Sequence, residues 1–276
     1  MKFQEGKHKN LENQEVYNLN LAKKHSVAFE AVIEASKLVK EIFETGKINT
    51  QLKEDHSPVT NADLESSKII IEKLLETGIP VLCEEDENNE YDKRKDWKAM
   101  WVVDPLDGTW GFINGKEEFV INVGLVENGK PVFGIIAVPM AQEVYFGGKD
   151  FGAYRFNFKT GTVGQATKLP LYATPNNELI VTGGEETPVS FYGNSPFIDK
   201  KYESTSFVKV ASALKFCLIA EGRMDIYPRN YPCMEWDTAA GHAIINGIGK
   251  ELYDVETNEV IGYNREDLHV PFFVLT

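Results

Sequence analysis

Met100-Trp101-Val102-Val103-Asp104-Pro105-Leu106-Asp107-Gly108-Thr109 is an apolar run that stops abruptly in two acidic residues, a proline and a glycine. The four residues Met100–Val103 predict a buried strand, and Pro105 biases Asp104 towards an extended backbone. Gly108 permits a sharp turn. Asp104 and Asp107 can then face one point with the Leu106 carbonyl between them, which makes three hard oxygen donors. Such a set suits Mg2+, which takes oxygen ligands and retains waters, better than Zn2+, which more often recruits His or Cys. A surface turn containing proline would need neither carboxylate, and composition leaves both alternatives open.

Working outward, a second acidic cluster, Glu84-Glu85-Asp86-Glu87, follows another predicted strand, Ile79–Cys83. Acidic pairs are ordinarily solvated surface, and Asp86–Asp92 is assigned there. An EF-hand fails in that stretch because Tyr91 stands where glycine is needed and Trp97 where a bidentate Glu is needed. Upstream, Val27, Ala31, Ala35, Leu38 and Ile42 recur at helical spacing, with Gly46 as the stop. A second helix is predicted from Thr60 or Asn61, with Leu64, Ile71, Leu74 and Leu75 as its apolar face and Gly78 as its end. Downstream, Phe119–Val126 and Val132–Val138 flank an Asn-Gly dipeptide and predict a hairpin, followed by strands at Val144–Phe146 and Ala153–Phe156. The first half reads as two helices and a largely antiparallel sheet.

The second half alternates. Strands are predicted at Leu179–Val181, Phe207–Val210, Met224–Tyr227 and Glu251–Tyr253, and helices at Ala211–Glu221 and Asp237–Asn246, the pattern of an α/β domain. A Thr-, Gly- and Pro-rich stretch, residues 157–178, suggests a loose boundary near 160. The expected organisation is a polar arm over residues 1–21, a helix pair with the metal-bearing sheet over 22–160, and an α/β substrate-side unit over 161–276.

The 276 residues carry 29 Lys and Arg against 42 Asp and Glu, a net charge of −13 that argues against nucleic acid polymers as partners. With 42% hydrophobic residues the chain is a folded protein, outside the disordered class. Cys83, Cys217 and Cys233 form no CxxC pair, so a reducing compartment fits. No stretch approaches the ~18 apolar residues of a membrane span. The expected location is the cytoplasm, with peripheral attachment to the inner membrane as a variant. There is no GxSxG elbow or GxxxxGK[ST] loop, and Cys83, next to carboxylates, lacks the electropositive setting of a nucleophilic thiolate.

Trp101–Thr109 together with Glu235-Trp236-Asp237-Thr238-Ala239-Ala240-Gly241 resembles the paired signature of the inositol monophosphatase superfamily of magnesium-dependent, lithium-sensitive phosphatases. Ser57-Pro58-Val59-Thr60-Asn61-Ala62-Asp63 and Val81-Leu82-Cys83-Glu84-Glu85-Asp86 match two further blocks, so the likeness runs from about residue 22 to the C-terminus. Ser212–Gly222 and Tyr227-Pro228-Arg229 are most similar to the bacterial 3′(2′),5′-bisphosphate nucleotidase branch, the CysQ type. The resemblance implies an α/β (α+β layered) fold of alternating α-β-α-β-α layers, the inositol monophosphatase/fructose bisphosphatase type, acting as a monomer or homodimer on a small phosphorylated substrate. It implies two or three Mg2+ ions held by Glu84, Asp104, the Leu106 carbonyl, Asp107 and Asp237. Asp63 would act through water and, with Thr109 and Glu84, serve catalysis by a metal-activated water. Substrate contacts would come from Glu84, Asp107, Gly108, Thr109, Trp110, Ser212, Lys215, Arg229 and Asp237.

Two departures bear on the substrate. The branch usually carries Ser-Arg-Ser-His where this chain has Thr182-Gly183-Gly184-Glu185, so an Arg and a His are missing. Trp110 stands where Lys is frequent; it could stack on a base or sugar, although an aromatic beside a strand end more often packs. Lys215, on its sequence alone, reads equally as an exposed helix cation. The leading expectation is removal of the 3′-phosphate of adenosine 3′,5′-bisphosphate. An inositol or sugar phosphatase is the second, and a non-catalytic, metal-dependent nucleotide-binding protein the third.

Overall fold

The computed structural model describes residues 9–10, 16–17, 21–86, 90–173, 177–184 and 202–276. Its first strands are β1 (Lys9–Asn10), β2 (Val16–Tyr17), β3 (Thr50–Leu52), β4 (Pro58–Thr60), β5 (Val81–Cys83), β6 (Ala99–Asp107), β7 (Val120–Glu127), β8 (Lys130–Val138), β9 (Glu143–Gly148) and β10 (Gly152–Asn157). They are followed by β11 (Ala166–Lys168), β12 (Tyr172–Ala173), β13 (Glu178–Gly183), β14 (Ser204–Lys209), β15 (Tyr227–Arg229), β16 (Cys233–Met234), β17 (Leu252–Asp254), β18 (His269–Val270) and β19 (Phe273–Leu275). The helices are α1 (Lys23–Thr45), α2 (Asn61–Leu75), α3 (Tyr91–Arg94), α4 (Thr109–Ile113), α5 (Leu214–Ala220) and α6 (Glu235–Asn246).

The hairpin expected at Asn128-Gly129 joins β7 to β8, and both residues have positive φ, 50° and 73°, as a turn between twisted strands requires. It lies within an eight-stranded sheet of order β2-β11-β10-β9-β8-β7-β6-β5, antiparallel except for the β5–β6 pair. β2, part of the arm expected to be merely polar, supplies an edge strand. Alternation explains why the central strands read as unbroken apolar runs. Trp101, Val103, Ile121, Val123 and Phe146 pack with α1 and α2 on one face, and Met100, Val102, Val120, Ile136 and Tyr145 pack with α5 and α6 on the other.

α6 lies directly against the backbone of β7 and β8. Gly124 and Gly134 are partners across these strands, and a Cβ on Gly134 would come within 2.1 Å of the Ala240 carbonyl oxygen. Beyond α5 and α6, the parallel pair β13–β14 and the antiparallel β15-β19-β17 are joined by a bridge between Val181 and Ile226. The described residues thus show layers in the order helix pair, sheet, helix pair, sheet, the layered α/β fold expected. Residues 185–201, between β13 and β14, lie outside the described residues. One apolar cluster runs from Leu82 to Leu275, so the two halves share a core across residue 160.

Two expectations need correction. Leu64 and Leu75 of α2 point outward, at 47% and 55% exposure, while its buried face is Ala62, Asp63, Ser66, Ser67, Ile70 and Leu74. α5 starts at Leu214 rather than Ala211, because Ser212 is left-handed with φ 53°. The two-residue strands and β19 carry too little pattern to be read from sequence.

Candidate active site

The pairing of β6 with β7 shows how two carboxylates three residues apart reach one side. Asp104 opposes Asn122 and Asp107 opposes Val120, so Pro105 and Leu106 together stand against Ile121 alone. In a regular strand residues i and i+3 point to opposite faces; one inserted residue restores the same face. Proline suits this bulge because it has no N–H to leave unpaired. The Asp104 Oδ1 atom accepts the Leu106 N–H at 2.9 Å, and the Ser66 hydroxyl of α2 donates to the Pro105 carbonyl at 2.9 Å. Gly108, with φ 102°, turns the chain into α4.

Asp237 arrives from the opposite layer, in the first turn of α6, where its Oδ2 accepts the Met234 N–H at 2.8 Å. Asp104, Asp107 and Asp237 each place a carboxylate oxygen within 4.8 Å of the others. Burial raises all three above the ordinary carboxylate range, Asp104 strongly and Asp237 to about 7, and repulsion from neighbouring carboxylates adds to the rise of Asp104 and Asp237. For Asp107, the Lys215 charge and the Ala213 N–H, 2.5 Å from Oδ2, work against that rise. A donor set of carboxylates alone, held close against repulsion, fits a hard divalent cation.

Glu84 stands outside that trio. Its Oε1 is 2.9 Å from the Lys53 ammonium, which also reaches Glu85 at 2.7 Å. Burial raises the Glu84 pKa and Lys53 opposes it. Lys53 itself is desolvated, yet the two carboxylates raise its pKa overall. On the other flank, Asp63 is 2% exposed; its Oδ2 accepts from the Thr60 N–H at 2.8 Å and the Thr60 hydroxyl at 2.5 Å, a capping box that starts α2. Its Oδ1 accepts from the Thr109 hydroxyl at 2.9 Å, and that hydroxyl also lies 3.1 Å from the Leu106 carbonyl. Burial raises the Asp63 pKa, while Thr60 and Thr109 lower it.

A cavity of about 230 Å3 opens beside the trio, lined by Asp107, Gly184, Ser212, Lys215, Arg229, Tyr231 and Asp237 among others. The expected substrate residues Ser212, Lys215 and Arg229 are therefore brought to the carboxylates. Lys215 is no exposed helix cation: it is 2% exposed, its ammonium donates to the Ser212 carbonyl at 2.6 Å and the Val210 carbonyl at 3.1 Å, and burial lowers its pKa to about 8. Trp110 does not pack, being 65% exposed in the first turn of α4, and it does not line the cavity. Of the departing segment, Gly184 lines the cavity and Glu185 lies outside the described residues. Lys53 and Tyr231 escaped sequence reasoning as site residues, since no local motif announces them, whereas Gly184 lies in the segment already marked as bearing on the substrate. A larger cavity of about 920 Å3 opens at the far end of β7, around Glu127–Phe133, and contains none of the expected residues.

In this layered α/β fold the carboxylate trio at a strand bulge could hold a metal ion, with a cavity carrying cationic side chains beside it. The profile of the inositol monophosphatase family matches residues 20–271, and the chain belongs to that family. It is similar to the 3′(2′),5′-bisphosphate nucleotidase CysQ of Salmonella typhimurium, 35% identical over 226 residues, 81% of this chain and 87% of that one. The protein of the same name from Escherichia coli K12 is 33% identical over 223 residues, 80% of this chain and 86% of that one. Among solved structures, CysQ from Bacteroides thetaiotaomicron, a bacterial member of the family, superposes with a TM-score of 0.79 at 34% identity, covering 93% of this chain and 98% of that one.

Proposed function

We propose that this protein is a magnesium-dependent 3′(2′),5′-bisphosphate nucleotidase that removes the 3′-phosphate of adenosine 3′,5′-bisphosphate. The observation that carries the reading is the convergence of Asp104, Asp107 and Asp237 within 4.8 Å beside a cavity bearing Lys215 and Arg229. The names of the relatives supply the substrate. Asp104, Asp107 and Asp237, joined by the Leu106 carbonyl and Glu84, would hold the ions. Bound Mg2+ neutralises phosphate charge and lowers the pKa of coordinated water.

The protein groups then have separate tasks. Thr109 Oγ1, held by Asp63 Oδ1, orients the attacking water and passes its proton towards the Asp63 carboxylate, whose raised pKa suits a base. The N–H groups of Gly108 and Thr109 meet oxygens of the scissile phosphate. Lys215, whose ammonium is held by the Val210 and Ser212 carbonyls, neutralises phosphate charge from the cavity lining, and Ser212 contacts the nucleotide. A cytoplasmic setting is supported by three buried cysteines present as free thiols, and no helix among the described residues is long and apolar enough to cross a membrane.

Phosphate release is the test, compared across adenosine 3′,5′-bisphosphate, inositol 1-phosphate and fructose 1,6-bisphosphate with Mg2+ and with added Li+. The highest kcat/KM is expected for the nucleotide. A preference for either sugar ester, or tight nucleotide binding without release, rejects the reading.

A further inference from the structure

Gly184 and Tyr231 meet at the cavity wall so closely that a side chain at the first position requires the phenol to move. A Cβ on Gly184 would lie 2.4 Å from the Tyr231 hydroxyl oxygen, so the phenol occupies the space in front of a segment that lacks the Arg and His common in this branch. The phenol is held from below. The Arg229 guanidinium lies 4.2 Å from the Tyr231 ring centroid, its Nε donates to the Tyr231 carbonyl at 3.3 Å, and its Nη1 donates to the Tyr227 hydroxyl at 3.0 Å. Tyr227 is 1% exposed and wedged edge-on against Phe216 and Phe273. Arg229 is thereby committed to its platform, with Nη2 donating to the Pro232 carbonyl at 2.9 Å, and Lys215 is committed to two carbonyls. The half-buried Tyr231 lines the cavity, and among the described residues its hydroxyl has no hydrogen-bond partner.

We propose that Tyr231 is the specificity-determining residue of this chain, binding the nucleoside part of the substrate in the place left open by Gly184. The proposal rests on the nucleotidase reading above. Its chemistry differs from that of a cationic wall: a phenol offers one neutral donor and acceptor, suited to a ribose hydroxyl, and a ring edge or face that excludes water from the base. It adds recognition without adding charge, so it favours a nucleoside over a bare phosphate ester. Gly184 is the permissive half of the pair, because any larger residue there displaces the phenol.

The test is steady-state phosphate release by the full chain with Mg2+, for the wild type, Tyr231→Phe, Tyr231→Ala and Gly184→Ser, on adenosine 3′,5′-bisphosphate and inositol 1-phosphate. Loss of one hydrogen bond in Tyr231→Phe is expected to cut the nucleotide-to-inositol ratio of kcat/KM by about fivefold, through KM rather than kcat. Tyr231→Ala should cut it further, and Gly184→Ser should lower it in the same direction with Tyr231 intact. A thermal melt of each variant separates misfolding from altered recognition, and the ratio itself is insensitive to the fraction of folded enzyme. Unchanged ratios in Tyr231→Phe and Tyr231→Ala, with a wild type that prefers the nucleotide, overturn the role of Tyr231 alone. A wild type that prefers inositol 1-phosphate overturns the nucleotidase reading and this inference with it.

Discussion

Asp104 is the residue on which the site turns, being almost fully buried and facing Asp107, Asp237 and the charge of Glu84. Without a cation these carboxylates repel, so metal-free Asp104→Asn should melt no lower than the wild type. Adding Mg2+ should raise the melting temperature of the wild type and leave that of Asp104→Asn nearly still; equal shifts in a melting titration would place the ion elsewhere. These carboxylates were legible in sequence because local chemistry marks them: Pro105 and Gly108 punctuate a strand end, and the Glu235–Gly241 block repeats a known signature. Lys53 and Tyr231 were not legible. Each acquires its role only when distant segments meet, Lys53 against Glu84 across 31 positions and Tyr231, between β15 and β16, against Gly184 just after β13.

At the scale of elements, α2 shows why periodicity misassigned a face. Its buried side includes Asp63, Ser66 and Ser67, which hold Thr109, the Pro105 carbonyl and Cys83, so leucines are left outside. The start of the same helix rests on Thr60. Thr60→Ala should cost about 1–2 kcal/mol in chemical denaturation, the usual loss for a cap, and should lower turnover as well because Asp63 loses the Thr60 hydroxyl as a donor and keeps only the backbone N–H there. Removing the hydroxyl without effect on either quantity would contradict the assigned link between cap and catalysis. The seat of α6 is a second case. Gly134→Val forces a side chain into the Ala240 carbonyl, and a loss of about 3 kcal/mol or failure to fold is expected; a wild-type denaturation midpoint would show that α6 is not fixed against the sheet. The hairpin, α1 and the central strands were legible because propensity and burial agree there. The strands of two residues were not, since long-range pairing alone defines them.

Across the whole molecule, α6 ties the two sheets together, with Asp237 at its N-terminus and His242 and Asn246 holding Glu251 near its C-terminus. Burial alone would raise the Glu251 pKa, but the His242 hydrogen bond and charge, Asn246 and the Leu252 N–H outweigh it and lower it from 4.5 to about 2. A carboxylate lowered on folding contributes stability in full above its unfolded pKa, and that stability is lost as pH falls from about 4.5 towards 2. Allowing for its partial solvation, the contribution is about 1–2 kcal/mol. The stability gap between wild type and Glu251→Gln should therefore shrink from pH 6 to pH 3 in denaturant titrations, and a gap independent of pH would remove Glu251 as its source. Layer order and site location were legible from motifs that match the family, whereas the continuity of the core across residue 160 was not, because only packing reveals it. The central claim, a divalent-cation-dependent phosphatase built on the Asp104 trio, meets its most direct test in phosphate release from adenosine 3′,5′-bisphosphate as Mg2+ is titrated into metal-free wild type and Asp104→Asn. Release by the wild type that rises with Mg2+ and vanishes with EDTA, alongside a variant at least about a thousandfold slower at every concentration, is the predicted result. Release that persists in EDTA, or an Asp104→Asn protein as active as the wild type, would contradict it.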